Sequence, residues 1–142
     1  MTIKQISVFL ENKEGRLKEV LKVLADNDIN IISMYLADTA EYGMLRLVVS
    51  HPEKAKDVLK NNHMMAELVD VLAIRVPHAT GSLYKIMQAL VDAGQNVEYM
   101  YAFANGEDAS FIFKTKKPVE AIAVAKELGF SMWTAKEVYH VQ

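Results

Sequence analysis

The sequence contains no cysteine among its 142 residues. Disulfide bridges, thiol catalysis, iron–sulfur clusters and cysteine-ligated zinc are therefore excluded. No apolar run approaches the ~20 residues that a membrane-spanning helix needs, and the first ten residues lack the apolar centre of a signal peptide. We therefore expect no membrane partner and a cytoplasmic location.

Neither half of the chain has an excess of positive charge. Residues 1–70 contain 9 basic and 11 acidic side chains, and residues 71–142 contain 7 of each. Surfaces that bind nucleic acids or anionic membranes need clustered Lys and Arg. The single basic cluster, "KTKK" at 114–117, precedes a proline and is explained by a turn between a strand and a helix. We expect no nucleic-acid partner.

The sequence also lacks the motifs of catalysis and of metal binding. Its four histidines are not spaced as metal ligands are. There is no nucleophile motif, no phosphate-binding loop and no dinucleotide fingerprint. We therefore expect no metal site, no cofactor and no catalytic residue.

What the sequence does contain is an internal repeat with a fixed offset of 66 residues and no gap. Gly15-x-Leu17 recurs as Gly81-x-Leu83, and Met34-Tyr35 recurs as Met100-Tyr101. Further identities at this offset are Leu24 and Leu90, Asp26 and Asp92, Asn30 and Asn96, Pro52 and Pro118, Ala55 and Ala121, and Val58 and Val124. Such self-similarity indicates a duplicated structural unit.

Each repeat has the pattern β-α-β-β-α-β. "IKQISVFL" alternates as a strand does, and "GRLKEVLKVLADND" places apolar residues at helical spacing. Two strands then precede a helix that opens with Pro52, a residue tolerated in the first helical turn. "LVDVLAIRV" is predicted as a strand that ends one unit and begins the next. The last strand is predicted within 132–141.

This order is that of the ferredoxin-like fold. We predict an α+β protein of two units, residues 1–70 and 71–142, with antiparallel sheets side by side and the helices on one face. The opposite sheet face would stay partly apolar, since Leu45, Leu47 and Val49 alternate with Met44, Arg46 and Val48. Because an open apolar face or edge favours association, we expect a homodimer.

A strand, then "NKEGRL" opening a helix, then "DNDINI" leading into a second strand, resembles the ACT domain. The resemblance covers nearly the whole chain in two copies, so the chain resembles a stand-alone tandem ACT protein. The first copy, with "SVFLENKEGRL" and "LADT", is the closer match. ACT domains are small modules that sense ligands, and no residues remain here for a catalytic domain.

The resemblance implies binding of a free amino acid at a junction between paired units. The loop before the first helix would hold the ligand, and a residue at the start of the second strand would face it. In serine-sensing members two asparagines have these roles. The implied ligand-binding residues are Asn12, Lys13, Glu14, Gly15, Arg16, Leu17, Asn30 and Ile31 in the first copy, and His78, Gly81, Ser82, Leu83, Asn96 and Val97 in the second.

A site at this loop is also reasonable on physical grounds. A helix N-terminus offers unpaired N–H groups and a partial positive charge. Gly15 and Gly81 would let the backbone approach an anion closely. The sequence departs from the family pattern where Glu14 and Thr80 replace a common proline, and where His78 stands in place of an Asn or Asp. The two sites therefore need not be equivalent.

Three interpretations remain open. The first is a non-catalytic amino-acid sensor that regulates an enzyme or a regulator of an amino-acid pathway in trans. The second is an assembly adaptor that needs no ligand. The third is a small enzyme on a ferredoxin-like fold, for which Arg16 would be the residue that binds an oxyanion.

Overall fold

The structure, a computed structural model, describes residues 2–11, 13–38, 42–105 and 108–140. Within these ranges there are seven strands and five helices. The first part of the chain contains β1 (Ile3–Glu11), α1 (Arg16–Asp26), β2 (Ile31–Asp38), β3 (Tyr42–Val49), α2 (Pro52–Asn61) and β4 (Met65–Val76). The second part contains α3 (Ser82–Asp92), β5 (Tyr99–Asn105), β6 (Asp108–Lys114), α4 (Pro118–Glu127), β7 (Ser131–Met132) and α5 (Ala135–Tyr139).

The chain forms two compact units, which consist mainly of Lys4–Val69 and of Asp70–Val138. In the first unit the strand order is β2-β3-β1-β4. Strands β1 and β3 run antiparallel, with Val8 opposite Leu45, and β2 pairs with the other edge of β3. This is the strand order of a ferredoxin-like unit, and the predicted fold class is confirmed.

Helices α1 and α2 cover one face of the sheet in the first unit. Their inward residues recur every three or four positions, so each helix has one apolar stripe. The buried core of this unit contains Ile6, Val8, Leu10, Val20, Leu24, Ile29, Leu45, Leu47, Val49, Ala55, Leu59 and Ala66. The alternation that the sequence shows in β3 therefore points Leu45, Leu47 and Val49 towards the helices.

The second unit repeats this architecture with the same register. Ile74 lies opposite Phe111, 66 positions after the pair Val8 and Leu45. Strand β5 pairs with β6, and β7 pairs with β4, so the strand order here is β5-β6-β4-β7. Strand β4 is continuous and serves as the last strand of one unit and the first of the other. Helices α3 and α4 supply Ile86, Leu90, Ala121, Ile122 and Ala125 to the core.

The end of the chain differs from the prediction of a strand within 132–141. Strand β7 ends at Met132, and the short helix α5 follows. Thr134 and Glu137 form a reciprocal capping box: the Glu137 N–H donates to the Thr134 hydroxyl (3.2 Å), and the Thr134 N–H donates to the Glu137 carboxylate (3.2 Å). This capping box begins a helix where a strand is predicted from the sequence.

The repeat extends to the backbone at the helix ends. Asp28 (φ 56°) and His63 (φ 63°) have left-handed backbone conformations, and their counterparts 66 residues later are Gly94 and Gly129. The Met64 N–H donates to the Leu59 carbonyl at 3.0 Å, and the Phe130 N–H donates to that of Ala125 at 3.0 Å. The backbone has therefore kept its path where the side chains have changed.

None of the helices in the described ranges is long and apolar enough to cross a membrane. The longest, α1 and α3, have 11 residues each.

Thr115 gives a test of core packing in the second unit. Its side chain is fully buried, and among the described residues its hydroxyl has no hydrogen-bond partner. The first unit has the buried Val49 at this position. Because a buried unsatisfied hydroxyl costs about 1–3 kcal/mol, we predict that Thr115→Val raises the free energy of unfolding by about 1 kcal/mol in chemical denaturation.

The matched control is Thr134→Val, which removes the hydroxyl that caps α5. Loss of a cap costs about 0.5–2 kcal/mol, so this variant should be less stable than the parent protein. If both substitutions lower stability, the Thr115 hydroxyl is hydrogen-bonded in solution and the prediction is wrong.

Candidate functional site

The loops that precede α1 and α3 have the same backbone conformation. Gly15 and Gly81 both lie in the left-handed region, with φ of 85° and 87°. The Lys13 N–H donates to the Glu11 carbonyl at 2.8 Å, and the Ala79 N–H donates to that of Pro77 at 2.8 Å. The duplicated motif is therefore a duplicated loop geometry.

Each of these loops leaves a helix N-terminus without a side-chain cap. A glycine at the cap position has no side chain that could accept from the first N–H groups of the helix. The first of these N–H groups, of Arg16 and of Ser82, donates to the carbonyl of Lys13 (3.3 Å) or of Ala79 (3.2 Å) in the loop. The next two N–H groups have no partner within the helix and lie at the positive end of its dipole. Each loop therefore presents polar backbone groups that can meet an anionic ligand.

A cavity of about 380 Å³, called here the first-unit cavity, borders the N-terminus of α1. It is lined by Phe9, Leu10, Glu11, Arg16, Glu19, Tyr42, His63, Met64 and Met65. The rings of Phe9 and Tyr42 lie 4.9 Å apart between centroids, and Met65 is 72% exposed. This cavity therefore combines an aromatic and aliphatic wall with a charged wall.

The charged wall of the first-unit cavity is internally paired. Nη1 of Arg16 lies 3.0 Å from Oε2 of Glu19, and its Nη2 lies 3.8 Å from Oε2 of Glu11. Glu11 also accepts from Nζ of Lys13 at 2.9 Å. The hydrogen bond and charge of Lys13, and then the charge of Arg16, hold the pKa of Glu11 below its ordinary value.

A larger cavity of about 700 Å³, called here the second-unit cavity, borders the N-terminus of α3. It is lined by Arg75, Pro77, Ser82, Tyr84, Lys85, Gln88, Ala89, Asp92, Leu128, Gly129, Phe130 and Ser131. Helix α3 presents a polar row along it: the Tyr84 hydroxyl bonds to Gln88 (3.3 Å), and the Gln88 amide donates to Asp92 (2.9 Å). Leu128 and Phe130 supply apolar surface.

Arg75 is held firmly at the edge of the second-unit cavity. Its guanidinium carbon lies 3.7 Å from the centre of the Trp133 ring, and its Nη2 lies 2.7 Å from Oε2 of Glu137. The Trp133 indole donates to the Ser110 hydroxyl at 3.0 Å, which fixes the ring. Hydrogen bonds from the backbone and hydroxyl of Thr134, and then the Arg75 charge, lower the pKa of Glu137. The positive charge of Arg75 is thus already compensated.

The two cavities lie at equivalent places in the two repeats. Their walls correspond at the offset of 66 residues, in the pairs Phe9 and Arg75, Glu11 and Pro77, Arg16 and Ser82, Glu19 and Lys85, His63 and Gly129, Met64 and Phe130, and Met65 and Ser131. The fold therefore makes the same cavity twice, and the side chains give each copy a different character.

Of the residues predicted to bind a ligand, Arg16 lines the first-unit cavity and Ser82 lines the second. Asn12 lies outside the described residues. The remaining loop residues Lys13, Glu14, Gly15, His78 and Gly81 are exposed. The apolar positions Leu17, Ile31, Leu83 and Val97 are partly buried and pack against the two cores.

Asn30 and Asn96 are exposed, and neither lines these two cavities. The Asn30 N–H donates to the Ser50 hydroxyl at 3.0 Å, and the Asn30 carbonyl accepts from the Ser50 N–H at 2.9 Å. The Asn30 backbone therefore ties the start of β2 to the end of β3.

Several lining residues were not predicted from the sequence, among them Phe9, Tyr42, Arg75, Tyr84 and Phe130. The repeat itself held a signal for two of them, because Phe9 and Arg75 both stand six residues before the loop glycine. Tyr42 and Phe130 come from distant segments, and only the fold brings them to the cavities.

The sequence matches the family described as the ACT domain pair over residues 1–139. A search of curated proteins found no match. Among solved structures, a protein from Bacteroides thetaiotaomicron is 40% identical and has a TM-score of 0.94, with 99% of this chain and 98% of that chain covered.

Two more distant structures share the fold. The ligand-free regulatory subunit of aspartate kinase from Thermus thermophilus is 18% identical, with a TM-score of 0.63 and coverage of 89% of this chain and 92% of that chain. The regulatory subunit of aspartate kinase from Thermus flavus is 19% identical, with a TM-score of 0.62 and coverage of 87% and 90%.

The loop glycines give a test of backbone strain at the candidate site. A Cβ added at Gly15 or Gly81 would meet no atom within 4 Å, so only the left-handed backbone opposes a side chain. We predict that Gly15→Ala and Gly81→Ala each lower the free energy of unfolding by about 1 kcal/mol. The matched variants Gly15→Asn and Gly81→Asn should cost less, because Asn tolerates this conformation better. Equal costs for Ala and Asn in denaturant titrations would contradict this account.

The ion pairs of the first-unit cavity give a test by pH. Because the folded-state pKa of Glu11 is lowered, its carboxylate stabilises the fold above the unfolded-state pKa, and this contribution is lost as the pH falls through the folded-state pKa. We predict that Lys13→Gln raises the pKa of Glu11 towards its ordinary value in a carboxyl-carbon NMR titration. Lys22→Gln, which removes a lysine paired with Asp26, should leave that pKa unchanged. An unaltered Glu11 titration in Lys13→Gln would show that the pair is not formed in solution.

Proposed function

This chain belongs to the ACT domain pair family, and from this premise we propose that it is a non-catalytic regulatory protein that binds a free amino acid. ACT domain pairs are typical of amino-acid-binding regulatory domains and are generally non-catalytic. In this proposal the two repeats are residues 1–70 and 71–142. That the ligand lies at a junction of two units stays a prediction, as do the homodimer and the cytoplasmic location.

One observation carries the proposal: each unit places a cavity beside a helix N-terminus that no side chain caps. The α-carboxylate of an amino acid is the kind of group that a helix N-terminus binds. The second-unit cavity, at about 700 Å³, lies within the range of small-molecule sites. Its mixture of a polar row and an apolar wall suits a small amphipathic molecule.

The enzyme alternative has less support. It depends on Arg16 as a residue that binds an oxyanion, but the Arg16 guanidinium already bonds to Glu19 at 3.0 Å and lies 3.8 Å from Glu11. A substrate anion would have to displace these carboxylates. The adaptor alternative makes no use of the uncapped helix starts.

We propose that ligand binding is transmitted to a partner in trans, an enzyme or regulator of an amino-acid pathway. The support is the fold shared with regulatory subunits of aspartate kinase. A ligand can regulate only by binding one conformational state better than another. The regulated partner is thus expected to bind the liganded and ligand-free protein with different affinities.

The test is a thermal-shift screen with the twenty amino acids at millimolar concentration. At 100 times Kd a ligand adds about 2.7 kcal/mol of stability, which for this size raises Tm by on the order of 5–10 °C. We expect a rise with one or a few amino acids. The rise should disappear with the corresponding amino-acid amides, which lack the α-carboxylate.

The amides serve as the matched control because they keep the side chain and the amine. If no amino acid raises Tm, the sensor proposal is wrong and the adaptor interpretation takes its place. If the amides raise Tm as much as the acids, a ligand binds without using the helix N-termini.

A further inference from the structure

We propose that each chain binds one amino acid, that it does so in the second-unit cavity, and that the smaller first-unit cavity binds none because its charged side chains pair with each other. The ligand's carboxylate pairs with Lys85 and Ser82 at the first turn of α3. The ligand's side chain is apolar and uncharged. This inference rests on the proposed function and specifies its site and ligand class.

The first argument is size. At equivalent positions the first-unit cavity has Arg16, His63 and Met65, where the second has Ser82, Gly129 and Ser131. Each exchange replaces a long side chain by a short one. The cavity volumes differ accordingly, at about 380 Å³ in the first unit and about 700 Å³ in the second.

The second argument is charge at the first helical turn. In the first unit, Arg16 bonds to Glu19 at 3.0 Å across this turn. In the second unit, Ser82 and Lys85 stand at these two positions, so the arginine is absent and the carboxylate is replaced by an ammonium group. A ligand carboxylate at this turn would form an ion pair with Lys85, as the Glu19 carboxylate does with Arg16 in the first unit.

The same comparison argues against a carboxylate ligand in the first unit. Glu11 and Glu19 both line that cavity and would repel it. Neither is kept in the second unit, where Pro77 and Lys85 replace them. The helix N-terminus is thus shielded by carboxylates in one repeat and open to an anion in the other.

The rest of the second-unit cavity determines the class of side chain. Arg75 is compensated by Glu137 at 2.7 Å, and Asp92 already accepts from Gln88 at 2.9 Å. Neither is therefore available to a charged ligand side chain without loss of an existing contact. Ala89, Leu128 and Phe130 offer apolar surface instead. The cavity thus favours an apolar side chain over a charged one.

The experiment combines calorimetric titration with two-dimensional amide NMR, using L-leucine, L-methionine, L-valine and L-phenylalanine as probes and L-lysine and L-glutamate as charged comparisons. We expect one molecule of an apolar amino acid per chain. Amide shifts should centre on Gly81, Ser82 and Lys85, with Gly15 and Glu19 unaffected.

Ser82→Arg is the decisive variant, because it installs the first unit's residue in the second-unit cavity. The first unit already tolerates Arg at this helix position, so the fold should persist, which the amide spectrum checks. Affinity should fall about tenfold or more, because the arginine side chain would occupy the part of the cavity where the ligand carboxylate meets Ser82 and Lys85. Lys85→Gln should weaken binding in the same direction. Ala123→Arg, an exposed site on α4 away from both cavities, is the matched control and should bind as the parent does.

The outcomes separate this inference from the proposed function. Two ligands per chain, shifts centred on Gly15, or unchanged affinity in both Ser82→Arg and Lys85→Gln would overturn the inference while leaving amino-acid binding established. Tight binding of lysine or glutamate in preference to the apolar probes would overturn the ligand class. No binding of any amino acid would overturn the proposed function itself.

Discussion

Each unit depends on the burial of one apolar sheet face beneath two helices. A unit of about 66 residues can form only one small apolar core, so both helices must pack on the same face of the sheet. In the first unit, Val8, Leu45 and Leu47 meet Val20, Leu24 and Leu59 in one core. This packing fixes where each first helix begins, and hence where its uncapped N-terminus is presented.

The duplication shows which features the backbone requires and which the side chains can vary. The strand register is preserved at the offset of 66 residues, and so are the hydrogen bonds of the loops before α1 and α3. Left-handed conformations persist at Asp28 and His63 although neither is glycine. The side chains that line the cavities, by contrast, differ between the repeats: Arg75 stands at the position of Phe9, and Lys85 at the position of Glu19.

Most of the fold could be predicted because its signals are local. The alternation of apolar residues in β1, their helical spacing in α1 and the proline at the start of α2 can each be recognised from a few neighbouring residues. The prediction of a last strand within 132–141 was wrong for a local reason too. The capping box of Thr134 and Glu137 begins a helix after Met132. The cavity walls could not be predicted in the same way. Tyr42 and Met65 meet Phe9 only through strand pairing and chain reversal.

A carboxylate at the start of a helix must compete with any carboxylates already there. In the first unit, Arg16 attracts anions, but Glu11 and Glu19 satisfy it and lend their own negative charge to the helix dipole. In the second unit the corresponding residues are Pro77, Ser82 and Lys85, which leave the dipole unopposed and add a cation. Because the backbone is the same, the difference in charge at the helix start between the repeats comes from these three exchanges. Duplication thus allows one copy to keep ion pairs at its helix start while the other has Pro77 and Lys85 in place of the two carboxylates.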